Sequence, residues 1–139
     1  MCLRLFCGYW SLYIGCILIG LVGMLLSVMV FSVSLFELVM GSKQIFLIIL
    51  AMVFAFINAL ANIFLIFGTM WDMCWAMLVS FIIGVFALML FGGVVIMSYL
   101  HFLNALYLLF GVILCIIHLY NEWIIISTWW CCRSCTDDC

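Results

Sequence analysis

The chain is 139 residues long, 73% hydrophobic and only 6% charged, with a formal net charge of −2. A water-soluble domain carries about 25% charged residues, so the composition excludes a soluble fold. The small net charge gives no indication of nucleic-acid binding or of an electrostatic role at the membrane surface.

A short head, residues 1–9, carries Cys2, Arg4 and Cys7. The first apolar run covers residues 10–36. It is longer than the roughly 20 residues that cross a bilayer and far longer than the roughly 7–15 of a signal-peptide core, so it is expected to stay as an anchor. Residues 37–43 hold Glu37, Gly41, Ser42 and Lys43 and read as a tight turn. A second span is expected over 44–70, a loop with Asp72 over 71–74, and a third span over 75–97. The next turn is expected at 101–104, where no charge marks the boundary, and a fourth span over 105–130 leads into a Cys-rich tail, 131–139. With no proline, none of the helices carries the usual kinking residue. The expected fold is an all-α membrane protein, a single four-pass domain built as a left-handed antiparallel bundle of four transmembrane helices with very short loops.

Small and polar residues inside the spans recur in steps of three, four and seven. The first helix carries Cys16, Gly20, Gly23, Ser27 and Ser34, and the second Gln44, Ala51, Ala55, Asn58, Asn62 and Thr69. The third carries Ala76, Ser80, Gly84 and Ala87, and the fourth Asn104, Gly111, Cys115, His118 and Glu122. Such steps keep residues on one seam of helices crossing near +20°. In lipid that seam holds helices together by close packing and interhelical hydrogen bonds, since leucine gains little by leaving lipid. Gly92 and Gly93 lie off the seam of the third helix and offer a candidate outer contact face.

The second and fourth helices run in the same direction. Asn58 lies as far from Gln44 as His118 does from Asn104, so at about 1.5 Å per residue Asn58 and Asn62 come level with His118 and Glu122. Glu122 is the only charged residue inside an apolar run. An ionisable group there is a functional candidate. The four residues read either as a hydrogen-bonded clamp between helices or as a site that binds or passes a proton or cation.

The tail has the pattern C-C-x-x-C-x-x-x-C through Cys131, Cys132, Cys135 and Cys139. Cysteines just after a span are common acylation sites, so these four, with Cys2 and Cys7, are candidate palmitoylation positions. Unmodified thiols and a thiolate metal site are the other readings. The metal reading lacks the usual second C-x-x-C, and no cofactor is expected. Cys2, Cys7, Cys74 and the four tail cysteines all fall on one side of the membrane. If that side is cytosolic the thiols stay reduced; if it faces outward they form a disulfide framework. Arg4 and Arg133 on that side against Lys43 on the other favour cytosolic termini. Trp10, Trp71, Trp75, Trp123, Trp129 and Trp130 gather at the same interface as an aromatic belt. No nucleophile–base pair, glycine-rich phosphate loop or H-E-x-x-H motif is present, and the polar inventory points away from an enzyme.

The opening C-x4-C-G-Y-W-S-L-Y-I-G-C-I-L-I-G, with Cys2, Cys7, Ser11, Leu12, Gly15 and Gly20, resembles a group of small insect four-pass membrane proteins. In the last helix, H-L-Y-N-E-W-I-I-I-S, with His118, Tyr120, Trp123 and Ser127, is similar to the same group. The group includes the Pasiflora-type proteins of septate junctions and is distantly similar to the lysosome-associated four-pass family. The resemblance implies a non-enzymatic role in membrane organisation or epithelial barrier formation, with cytosolic termini and a plasma-membrane rather than endolysosomal address. The expected partners are the lipid bilayer and other membrane proteins, or further copies of the chain, met through lateral helix contacts. A small channel, transporter or transporter subunit using Asn58, Asn62, His118 and Glu122 is the alternative.

Overall fold

The structure is a computed structural model that describes residues 5–6 and 10–137, with side chains described over 13–133. Two short strands, β1 (Leu5–Phe6) and β2 (Trp10–Ser11), pair antiparallel ahead of the first helix. Four helices follow: α1 (Leu12–Val39), α2 (Ile45–Met70), α3 (Cys74–Phe102) and α4 (Ala105–Asp137). All four are long and apolar enough to cross a membrane. They pack in chain order as an antiparallel bundle, and the chain is an integral, multi-pass membrane protein.

Local chemistry ends each helix. After α1, Ser42 N–H bonds to Glu37 O and Gly41 N–H to Leu38 O, both at 3.3 Å. This reverse-wound ending needs a left-handed residue, and Gly41 supplies it at φ 75°. After α2, Met73 N–H reaches Gly68 O at 3.0 Å with Asp72 left-handed at φ 51°. After α3, Leu103 takes φ 49°, a conformation that costs a leucine about 1–2 kcal/mol. Asn104 then starts α4, its Oδ1 accepting the Leu106 N–H at 3.1 Å, as an N-cap does.

α1 runs three residues past its expected end at 36, to Val39, and two further helices outrun their expected spans by more. α3 continues past residue 97 to Phe102, and α4 past residue 130 to Asp137. Neither stretch holds a glycine or proline that would stop a helix. The first part of the tail is therefore a continuation of α4.

The small-residue seam is largely buried. Cys16, Gly20, Ser27 and Ser34 of α1, Ala55, Asn62 and Thr69 of α2, and Ala76, Ser80, Gly84 and Ala87 of α3 are buried. Ala51, Gly23 and Cys115 are half-buried. Gly20 lies against Ile66, Gly23 against the Asn62 amide, and Gly111 against Val95. Asn104 departs from the seam: it is exposed and serves as the α4 cap. Hydrogen bonds add to the packing, with Asn58 Nδ2 donating to Ser27 Oγ at 2.8 Å and Ser80 Oγ to Ala61 O at 2.7 Å. Bonds of this kind average about 0.6 kcal/mol in membranes, so close approach of the helices contributes more to holding them together.

The bundle closes at one end only. Cys16, Leu65, Ile124 and Ile125 form a packed core toward the termini, and Cys16 and Thr128 share a 3.3 Å hydrogen bond that joins α1 to α4. Toward its start α4 leans on α3, and nearly every residue from 105 to 120 is exposed. A cleft between α1 and α4 is the consequence.

A Cβ at Gly68 would come within 3.0 Å of the Met77 backbone nitrogen, whereas a Cβ at Gly92 would meet nothing within 4 Å. Gly68→Leu is therefore expected to destabilise the bundle by about 1–3 kcal/mol through overpacking. Gly92→Leu should stay within about 0.5 kcal/mol of the parent. Unfolding by SDS titration from a mild detergent measures both, and equal losses would contradict this packing.

Candidate functional site

The cleft holds a cavity of about 390 Å³. One wall is α1, through residues such as Val22, Leu26 and Val30, and the other is α4, through Leu114, Ile117 and Ile125. Phe54 and Phe91 of α2 and α3 lie behind. Val22, Leu26 and Ile117 line it while remaining 53%, 54% and 50% exposed. The cavity thus opens sideways, toward lipid.

Asn58, Asn62, His118 and Glu122, the four residues brought level by helix rise, all line this cavity. Ser27, Ser80 and Asn121 join them. Asn62 and Glu122 are buried at 7% and 5% exposure. The expected clamp takes a different form. Asn58 bonds across to Ser27, and Asn62 Nδ2 donates to Asn58 O of its own helix at 2.7 Å. His118 and Glu122 sit one turn apart on α4, with Nδ1 and Oε1 3.6 Å apart, too far for a hydrogen bond. Among the described residues, His118 Nδ1 and Glu122 Oε2 are buried without a hydrogen-bond partner, and no hydrogen bond joins the asparagines to this pair. Clamps between helices among the described residues include Ser27–Asn58, Ser80–Ala61 and Cys16–Thr128.

Two glycines set the polar groups in place. The Asn62 amide lies where a side chain at Gly23 would be, and the Glu122 carboxylate lies where a side chain at Gly84 would be. Gly84 thus brings a carboxyl group of α4 directly onto the backbone of α3. Neither partnership is visible in the sequence, because seam spacing ranks all small residues alike. Asn121 was also beyond it, being next to Glu122 and off the three-four step.

Cys74, at the start of α3, and Cys132, near the end of α4, form a disulfide with Cα atoms 5.9 Å apart. This corrects one acylation candidate, since a Cys132 sulfur bonded to Cys74 has no thiol to acylate. Cys131, next to it, takes no part in that bond and is half-buried. Cys2, Cys7 and Cys139 lie outside the described residues, as does the side chain of Cys135. Among the described residues no group of three or more His, Cys, Asp or Glu side chains could hold a metal ion. Trp71, Trp75, Trp123 and Trp130 are each more than half exposed and mark the end of the bundle that the disulfide also marks. Arg133 lies over the Trp129 ring, 5.7 Å from its centroid.

No family model, curated protein or solved structure matches the chain.

Gly84→Ala is expected to push the Glu122 carboxylate toward the cleft and cost about 1 kcal/mol, at the low end of overpacking. In a Glu122→Ala background the same substitution should cost almost nothing. A double-mutant cycle read by SDS unfolding should show coupling above about 0.5 kcal/mol; additive losses would mean that the two residues do not meet.

Proposed function

We propose that this chain is a non-enzymatic integral membrane interaction protein that engages its partner from within the bilayer, through the cleft between α1 and α4. The observation that carries this reading is a buried, unsatisfied pair, Glu122 Oε2 and His118 Nδ1, on the wall of a cavity that opens to lipid. A carboxylate in a span costs about 2.5–3.5 kcal/mol at insertion even by the lower scales, and such groups mark functional sites. The turns between the spans are very short and offer little surface to water, so contact comes from the side. The resemblance to Pasiflora-type proteins points to the same class of role, membrane organisation with a part in epithelial barriers, at the plasma membrane; termini on the exoplasmic side would set the chain apart from that group and remove this support.

A channel or transporter subunit built on the same polar residues is less well supported. Beyond the Asn, His and Glu level the cavity runs between the apolar side chains of Val30, Phe54, Phe91 and Leu114, which give a translocated ion nothing to bind.

For orientation, two arguments oppose each other. Charge favours cytosolic termini by the excess of Arg4 and Arg133 over Lys43, and the family resemblance agrees. The Cys74–Cys132 disulfide supports an oxidising compartment on that same side. An excess of one basic residue is a slight bias, whereas disulfides are rare in the cytosol. The proposed orientation therefore puts both termini on the exoplasmic side.

A photoreactive amino acid at Leu26 or Ile117 should give a discrete cross-linked adduct in native membranes, and one at Phe56, on the outer face of α2, only diffuse lipid adducts. Identical patterns at all three would remove the cleft as a contact surface. For the orientation, a membrane-impermeant maleimide should label Cys132 on intact cells only after treatment with an impermeant reductant. Labelling that requires permeabilisation and no reductant would return the termini to the cytosol.

A further inference from the structure

The chemistry of the cleft specifies its occupant further. The polar end of the cavity is rich in acceptors. Glu122 Oε2 and His118 Nδ1 lack partners, and Asn58 and Asn62 each donate one amide hydrogen elsewhere while keeping a carbonyl oxygen. Neither lysine nor arginine lines the cavity. The matching group is therefore a donor, and a cationic one would hold Glu122 as a carboxylate by pairing with it. Among the described residues no three His, Cys, Asp or Glu side chains come together, and most of the remaining wall is apolar, which favours an organic cation with an apolar tail.

Shape and size narrow the choice. From Glu122 the cavity extends between Leu26 and Val30 on one side and Leu114 and Ile117 on the other, a slot that suits an alkyl chain. Its volume, about 390 Å³, lies within the roughly 300–1,000 Å³ of small-molecule sites. The cavity is too small to enclose a transmembrane helix of about 10–12 Å diameter, so a partner helix would lie across its mouth while the cavity itself takes a small amphiphile.

We infer that the α1–α4 cleft is a binding site for a single-chain lipophilic amine, its ammonium group held by Glu122 and His118 and its alkyl chain lying along the apolar slot. The inference rests on the lateral-cleft reading given above and adds the chemical class of the occupant. Two of the three N–H donors of the ammonium go to Glu122 Oε2 and to Nδ1 of His118 in its Nε2–H tautomer. The third is left to water or to the Asn58 amide oxygen on the same cavity wall. Entry is sideways from the bilayer, where such an amphiphile already resides, and no covalent step is involved.

The test uses the full chain in phosphatidylcholine nanodiscs and a tetradecylamine that carries a diazirine in its tail. Photolabelling should be saturable and map to residues 18–30 and 114–125. Unlabelled tetradecylamine should compete at concentrations at least about tenfold lower than tetradecanol, the advantage of a charge-assisted hydrogen bond over a neutral one. Glu122→Gln should abolish that difference. Ile117→Trp, placed on the half-exposed wall, should block labelling while the protein stays folded. Equal competition by amine and alcohol would overturn the amine assignment and leave the cleft as a site for a neutral amphiphile, and an amine preference that survives Glu122→Gln would overturn the placement of the ammonium group at Glu122. No labelling of either segment would overturn both the assignment and the cleft reading beneath it. Should Glu122→Gln fail to fold, the amine–alcohol comparison on the parent chain and on Ile117→Trp still decides the question.

Discussion

A carboxyl group among membrane helices is tolerated where protein surrounds it, and here the surroundings begin with a missing side chain. Gly84 lets α4 lay Glu122 on the backbone of α3, which sets the rotation of α4 about its own axis. That rotation turns Ile124, Ile125 and Thr128 into the core with Cys16 and Leu65, and it leaves Trp123 facing outward. The same device on the other side of the molecule seats Asn62 on Gly23, so one residue of each polar pair is positioned by a glycine on a neighbouring helix.

The second constraint is unequal closure. Where the termini lie, α1 and α4 meet through Cys16 and Thr128 and α3 and α4 are tied by Cys74–Cys132. Toward the other end α4 rests on α3 through Gly111 and Val95 and has little to do with α1. In water the exposed leucines of that half would drive collapse; in lipid they gain almost nothing by meeting each other, so the seam can stay open. A bundle tied at one end and open along the other half has a lateral mouth, and the unsatisfied atoms of His118 and Glu122 lie on the wall behind it.

Much of this architecture was legible in the chain. Run length and composition identify four spans because a helix that crosses hydrocarbon must satisfy its own backbone and present apolar side chains over a fixed length. The turn at Gly41 was legible for an equally local reason, a left-handed position that glycine adopts without cost. Cys16, Gly20 and Ser27, and Ser80, Gly84 and Ala87, stand at three-four spacing and are buried, and Asn58, Asn62, His118 and Glu122, which helix rise puts level, line one cavity. Asn104, by contrast, sits at seam spacing and is a helix cap, since periodicity does not distinguish a residue inside a span from one at its mouth.

What the sequence determined by itself is therefore the part governed by each helix alone: the number of spans, their order, most of their ends and the face each one buries. Tertiary structure decided which faces meet and which stay apart. Gly84 receives Glu122 while Gly92 receives nothing, and Cys132 rather than its neighbour Cys131 reaches Cys74. Asn58 turns to Ser27 and leaves the His118–Glu122 pair unpaired beside an open cleft. These outcomes depend on the rotation and tilt of whole helices against one another, set by summed packing over many small contacts, and no single stretch of the chain encodes them.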